Sequence, residues 1–420
     1  MELELAPARE LQGQVSVPGD KSITHRALML AALAQGPTLI RRPLRAGDTL
    51  STAQVMRHLG AQITDQDQDF LVLGRGLVEP EEVLDCGNSG TLIRLLAGIL
   101  AGQNFHSVLT GDASLRSRPM DRVTVPLRLM GAKIDGRQQG RLAPLTIRGG
   151  ELHGIDYTLP VASAQVKSAL LLAGIFAAGA TEIQEPMPTR DHTERIFRHF
   201  GIPVEQVGGT IRTRRAPEFQ GRDLVVPGDF SSAAFFIGAG LVVPGSDILL
   251  EGVGLNPTRT GLIQVLEAMG AELSYQVTGG QDAEPWGWIR ARASGLHGVE
   301  VSAEQVAGMI DEIPVLAAVA AWAEGVTEIR GLTELRVKES DRLSAISANL
   351  AALGVESESG PDWIRIKGGG VQPGRVQAFD DHRIAMAFAV AGLPVGVRVT
   401  GAEWAGISFP GFFPTLEGLR

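Results

Sequence analysis

Two patterns of apolar and polar positions alternate along this chain. In the first, a polar start opens onto a run of small and aliphatic residues that closes near a glycine. It covers residues 21–36, 89–102, 163–179, 231–245, 310–325 and 381–396. A helix that is apolar on nearly every side belongs inside its domain. In the second, an amphipathic helix stops at a glycine and passes into a short strand. Gly60, Gly131, Gly201, Gly270 and Gly354 mark it, with Gly418 near the place for a sixth. Glycine at these helix ends is expected in the left-handed C′ conformation, which other residues adopt at a cost. Short β-rich pieces such as 69–73 and 363–366 lie between the helices. Both series recur at about 70 residues, so six copies account for the chain. The predicted class is α/β, each repeat supplying strands, one buried helix and one amphipathic helix.

The two halves open alike. Val17-Pro18-Gly19-Asp20 and Val226-Pro227-Gly228-Asp229 repeat the same four residues about three repeat lengths apart. The expected domains are 16–228, and 229–420 completed by the N-terminal strand within 1–15. The extended Pro-Gly segments at the crossings suit a hinge. A single continuous solenoid is the alternative, against which the duplication marks a break.

Composition narrows the chemistry. The longest apolar runs, 169–180 and 233–244, fall short of the roughly 20 residues that span a bilayer. Net charge is −9 with no basic block, which disfavours nucleic-acid binding by a broad electrostatic face. Cys86 is the only cysteine and the eight histidines are scattered, so neither a disulfide nor a metal cage is expected. The reading at this point is a cytoplasmic protein whose cationic groups must be gathered locally if it binds anions.

They gather at the starts of the buried helices. The first opens with Asp20, Lys21, Ser22 and Arg26; the second with Gly87, Asn88, Ser89, Gly90, Thr91 and Arg94; the third with Ser163, Ala164, Gln165, Val166 and Lys167. Free N–H groups and the positive dipole end attract anions, and hydroxyls, glycines and a nearby cation complete a phosphate cradle. Any one such start is also an ordinary helix cap; three in succession point to phosphate. The second half carries acids instead: Asp229, Asp311-Glu312 and Asp380-Asp381-His382-Arg383. Residues 336–342, with Lys338, Glu339 and Arg342, are expected to open the amphipathic helix before Gly354. Further basic stretches contain Arg116, Arg118 and Arg190. One half is suited to hold phosphate, the other to supply carboxylates for proton transfer.

Seven motifs run in order over essentially the whole chain: PGDKSITHRA, GNSGTLIRLL, RSRPM, SAQVKSALLLAG, TRDHTER, LRVKESDRL and DDHRIAMAFA. With them the sequence resembles the 5-enolpyruvylshikimate-3-phosphate synthase family, in its divergent second class. The resemblance implies two inverted α/β domains, each of three repeats with buried parallel helices, closing over an interdomain site. It implies transfer of the enolpyruvyl group of phosphoenolpyruvate to the 5-hydroxyl of shikimate 3-phosphate, on the route to aromatic amino acids. No metal or organic cofactor is required, and the expected partners are these two small substrates, with the protein a monomer.

By the same resemblance, Lys21, Arg118 and Gln165 grip the phosphate of phosphoenolpyruvate, Asn88 and Gly90 shape its pocket, and Arg342 and Arg383 clamp its carboxylate. Lys21, Ser22, Arg26, Ser163, Ala164, Gln165, Arg190, Asp311 and Lys338 surround shikimate 3-phosphate. Asp311 and Glu339 are the implied acid–base pair, with Lys21 a second candidate for the proton shuttle. Glyphosate competes for the donor site. Ile407 stands where a lysine is expected before Ser408-Phe409-Pro410, Ser89 and Ala164 depart from the best-known pattern, and Arg190 lies where a tyrosine is expected. UDP-N-acetylglucosamine enolpyruvyl transferase, which uses a loop cysteine, and a non-catalytic phospholigand-binding relative are the competing readings.

Overall fold

The computed structural model describes residues 1–281 and 283–420. The chain forms two compact units. One comprises Gly19–Val226 with Gly280–Glu284; the other comprises Met1–Pro18, Pro227–Gly279 and Pro285–Arg420. The chain passes between them inside both Val-Pro-Gly-Asp segments. Nothing in the hydrophobic pattern signals the excursion at Gly280–Glu284.

Among the described residues, twelve helices carry the repeats. In the Gly19–Val226 unit, α1 (Lys21–Leu33), α3 (Gly90–Ala101) and α5 (Ala164–Gly174) alternate with α2 (Gly47–His58), α4 (Asp121–Leu129) and α6 (His192–Phe200). In the other, α7 (Phe230–Val242), α9 (Ile313–Ala320) and α11 (His382–Gly392) alternate with α8 (Gly261–Ala268), α10 (Arg342–Ala352) and α12 (Phe412–Glu417). The odd-numbered helices are the buried ones. Every residue of α7 and α9 is buried, and in α1 only Lys21 and Ser22 reach the surface. Burial of these aliphatic faces, at about 25 cal/mol per Å² of apolar surface, is the main stabilising contribution. None of the described helices is long and apolar enough to cross a membrane.

The sheets repeat one plan. Leu224–Val225 pairs in parallel with Gly36–Arg41, which pairs antiparallel with Asp69–Gly74, itself antiparallel to Gln62–Gln66. The same order recurs through His106–Thr110 and through Ala180–Gln184 in this unit, and through Asp247–Gly254 and Val326–Arg330 in the other. In four of these sheets the parallel edge strand ends a preceding segment, whereas Leu224–Val225, at the end of its unit, returns to the first repeat. Gln12–Ser16 supplies that strand to Asp247–Gly254, and Glu2–Leu5 joins Val397–Thr400, so the chain's first strands complete the second unit.

Glycine does two distinct jobs. Gly201 closes α6 in the left-handed conformation, φ 74°, as expected of a C-terminal stop. The buried helices end differently. α1 stops at Leu33 and Gly36 begins the next strand, while Gly102 keeps φ −91°. At Gly98 the need is space: a Cβ there would lie 2.2 Å from the Ala169 carbonyl oxygen of α5. Gly98→Ala must push α3 and α5 away from each other and is expected to destabilise by about 1–3 kcal/mol. Urea unfolding measures this, and an unchanged midpoint would contradict the close approach.

Candidate active site

The start of α1 is built around two ions. Asp20 caps the helix, accepting from the Ile23 N–H at 2.9 Å. Lys21 reaches Asp48 of the first turn of α2, Nζ to Oδ2 2.8 Å, with both side chains largely buried. Asp48 does not stand out in the sequence; its only local mark is its place in the first turn of an amphipathic helix. His25 lies wholly inside, Nδ1 2.6 Å from Thr52 Oγ1 and Nε2 3.4 Å from Ser89 Oγ. Burial, only partly opposed by the Asp48 charge, pushes its pKa down to about 3. The neutral ring therefore links the starts of α1 and α3 to α2 as a structural group.

A chain of polar contacts joins α3 and α5. Ser89 caps α3, and the preceding Asn88 accepts from Arg118 Nη2 at 2.7 Å and donates to Asp112 Oδ2 at 2.6 Å. Arg94 donates to Gln165 Oε1 at 2.8 Å, and Gln165 donates to Thr91 Oγ1 at 3.0 Å. Ser163 caps α5, followed by Ala164. Gly90 is the first residue of α3, and a Cβ there would lie 2.8 Å from Arg94 Nη1 and 3.3 Å from Arg118 Nη1. Lys21, Asn88, Gly90, Arg118 and Gln165 thus sit on helix starts, or on side chains bonded to them. Asp112 gives no signal in the sequence because its role rests on a loop contact.

Arg26 is buried one turn into α1. Its guanidinium donates to Thr193 Oγ1 and Ser168 Oγ, both at 2.7 Å, and to the Ser22 carbonyl at 2.9 Å. Burial lowers its pKa to about 10, opposed by Glu194, while the Arg190 charge acts in the same direction as burial. Lys167 corrects an expectation. Its ammonium does not serve the start of α5; it is buried between Glu194, at 2.7 Å, and Glu185, at 3.0 Å. Lys167 lies one turn past the Ser163 cap, where α5 is already buried, so its ammonium meets the acids packed beside it.

In the second unit one arginine gathers three carboxylates. Arg342 Nε lies 2.7 Å from Asp381 Oδ2, Nη2 2.7 Å from Glu339 Oε2 and Nη1 3.1 Å from Asp311 Oδ1, with the Arg342 side chain 1% exposed. Burial opposes ionisation of Asp381, yet the Arg342 charge outweighs it and keeps its pKa below the usual carboxylate value. Asp311 also meets Lys338 Nζ at 3.4 Å and Arg383 Nη2 at 3.9 Å, and its backbone carbonyl accepts from Arg383 Nη1 at 3.2 Å. Lys338, Glu339, Arg342, Asp311 and Arg383 therefore form one cluster. Glu312, 3.7 Å from Arg383 Nη1, joins this cluster to Ser231, Arg259 and the α7 cap Asp229.

Two local features differ from the sequence expectation. Residues 336–342 do not open a helix as a block: Thr333–Val337 is a 3₁₀ turn, and α10 begins at Arg342 behind the Asp341 cap. Lys338 and Glu339 thus lie on an irregular turn, which lets Lys338 approach Asp311 and Glu339 approach Arg342. Ahead of α11, Phe379 and Asp380 both have left-handed backbones, φ 52° and 57°. For a bulky residue this costs on the order of 1–3 kcal/mol, strain of the kind that collects at functional sites. It sets Asp381 as the α11 cap, its carboxylate accepting from the Arg383 N–H at 2.9 Å.

Cys86 is wholly buried and burial pushes its thiol pKa up, so it is not a reactive loop thiolate. That removes the feature on which the cysteine-dependent alternative rests.

Comparisons with known proteins agree with this chemistry. Residues 5–416 match the sequence profile described as EPSP synthase (3-phosphoshikimate 1-carboxyvinyltransferase). A 3-phosphoshikimate 1-carboxyvinyltransferase of Thermus thermophilus is 65% identical over 418 residues, covering 99% of this chain and 98% of its own length. One from Geobacter metallireducens is 50% identical over 417 residues, 98% of this chain and 97% of its own. Among solved structures, an EPSP synthase from Acinetobacter baumannii superposes with TM-score 0.90 at 42% identity, covering 100% of this chain and 98% of that one. The enolpyruvyl transferase NikO from Streptomyces tendae, at 21% identity and TM-score 0.80, shares the fold. With helix starts that hold cations in one unit and an arginine-centred carboxylate cluster in the other, the chain belongs to the EPSP synthase family, the 3-phosphoshikimate 1-carboxyvinyltransferases.

Proposed function

We propose that this chain transfers the enolpyruvyl group of phosphoenolpyruvate to the 5-hydroxyl of shikimate 3-phosphate, releasing phosphate, with the residues above in the following roles. Lys21, Arg118 and Gln165 hold the donor phosphate, beside Asn88 and Gly90. Arg342 and Arg383 take the donor carboxylate, which a guanidinium can bind with two parallel hydrogen bonds. Ser22, Arg26, Ser163, Ala164, Gln165, Arg190 and Lys338 receive shikimate 3-phosphate. The observation that carries the reading is the convergence of Lys338, Arg342 and Arg383 on Asp311, with Glu339 on the same arginine.

The reaction is addition, then elimination. Asp311 accepts the proton of the attacking hydroxyl as its oxygen bonds to C2 of the donor, while Glu339 delivers a proton to C3. The C2–C3 double bond becomes single. Glu339 next removes a proton from C3, the double bond re-forms, and the C2–O bond to phosphate breaks, the proton taken up by Asp311 leaving with the phosphate. Lys21 and Arg118 stabilise the charge on the departing phosphate. Arg342 couples binding to this chemistry: a donor carboxylate on its guanidinium competes with Glu339 for the same N–H groups.

The enzyme is further proposed to act as a cytoplasmic monomer, independent of nucleic acid and membranes; its net charge of −9 supports the exclusion of nucleic acid. Incubation with phosphoenolpyruvate and shikimate 3-phosphate is expected to release phosphate only when both are present. Release with UDP-N-acetylglucosamine as acceptor, or none with shikimate 3-phosphate, would overturn the assignment.

Glyphosate provides a second check. Ile407 offers no cation to the anionic inhibitor, which favours tolerance, whereas Gly90 leaves room for it. A methyl at Gly90 meets only the far ends of Arg94 and Arg118, so Gly90→Ala is expected to fold normally. It should raise the glyphosate inhibition constant by more than it raises the phosphoenolpyruvate KM. Equal shifts in both constants would contradict the proposed place of Gly90.

A further inference from the structure

The groups proposed to hold shikimate 3-phosphate rest on a buried ionic cluster to which the chemistry above gives no role. Lys167 of α5 lies between Glu194 of α6 and Glu185, which follows the strand Ala180–Gln184; the three side chains are 1%, 0% and 4% exposed. Thr189 donates its hydroxyl to Glu185, and Lys167 lies 3.5 Å from the Thr189 carbonyl. Next along each helix, Ser168 and Thr193 are bonded to one another at 2.7 Å and both accept from Arg26. The cluster counts two cations, Arg26 and Lys167, against two carboxylates, Glu185 and Glu194.

Its connections are specific. Arg26 is one member; the start of α5 at Ser163, Ala164 and Gln165 is one turn from Lys167; and the segment bearing Arg190 runs between Thr189 and Glu194. A buried ion pair gains little stability over well-packed neutral groups, because desolvation offsets the attraction. Such a pair is better accounted for by the geometry it enforces. We propose that Lys167 and Glu194 are positioning residues. They hold Arg26, the α5 start and the Arg190 segment in the one arrangement that binds shikimate 3-phosphate.

This inference rests on the activity proposed above, and its test separates the two. Lys167→Met with Glu194→Gln removes one charge of each sign, so the net charge of the cluster is unchanged and the fold is expected to survive. The double variant should bind shikimate 3-phosphate about tenfold more weakly or worse by calorimetry without the donor, with a matching rise in its KM. At saturating substrates kcat should stay within about threefold of wild type, because no reacting group is touched. A role in stability alone would lower the active fraction, and with it kcat, at unchanged KM. Thr193→Val, which removes only the hydroxyl joining Arg26 to the cluster, carries the test if the double variant folds poorly, and the same rise in KM is expected. Wild-type affinity in the folded variant overturns the positioning role. Failure of the wild-type protein to bind shikimate 3-phosphate overturns the activity instead.

Discussion

Glu339→Ala and Asp311→Ala are each expected to lower turnover by about 10²-fold or more, the usual contribution of a positioned acid or base. Neither side chain lies in an apolar stripe. Glu339 is 24% exposed on an irregular turn and Asp311 is 11% exposed at the entry to α9, so loss of either removes polar contacts and leaves both cores intact. The two variants should nevertheless differ. Asp311→Ala leaves Lys338, Arg342 and Arg383 with less negative charge between them and should weaken the fold slightly. Glu339→Ala relieves a crowded arginine and should leave the melting temperature nearly unchanged. Steady-state kcat with matched thermal melts decides the matter. Near wild-type turnover in either variant means that its proton-transfer role is wrong.

Arg342→Met has the largest expected effect on stability. The side chain is buried against Asp381, Glu339 and Asp311, and burial alone would disfavour its charge, yet the three carboxylates push its pKa upward. Removing the cation leaves Asp381, which is fully buried, without its main counter-charge. Breaking one side of a buried ion pair costs about 3–5 kcal/mol. The loss should grow with pH above the unfolded-state carboxylate pKa of about 4, because Asp381 must then either stay charged without its partner or bind a proton that the unfolded chain does not. Chemical denaturation at pH 5 and pH 8 measures both the size and the sign. A variant as stable as wild type at both values would contradict the arginine-centred cluster. Donor binding should be lost as well, since the same guanidinium is proposed to meet the donor carboxylate.

How much of this is legible in the chain depends on range. Periodicity identifies all six buried helices because each is a local pattern, and the polar starts at Asp20, Ser89 and Ser163 are caps, which are local too. What periodicity cannot encode is the partner of a long side chain across the fold. Lys167 reads as a member of an anion-binding start, yet its charge belongs to Glu185 and Glu194, 18 and 27 residues further on. Asp48 and Asp112 carry no signal for the same reason: each matters through a contact to a distant residue, Lys21 and Asn88. The turn at Lys338 and Glu339 escapes a sequence reading because i,i+3 and i,i+4 spacing among charged residues imitates a helix. Phe379 holds a left-handed backbone that its residue type does not advertise.

The central claim is that Asp311 and Glu339 drive an addition at C2 and C3 followed by elimination. Deuterium transfer in D₂O tests it most directly. Addition places a solvent-derived hydrogen on C3 and makes it a methyl group, and elimination then removes one of three. The enolpyruvyl product of the wild-type enzyme is predicted to carry deuterium in its methylene group, and Glu339→Gln is predicted to lose deuterium incorporation together with turnover. Product free of deuterium after full conversion by the wild-type enzyme, or wild-type incorporation in Glu339→Gln, would contradict the account.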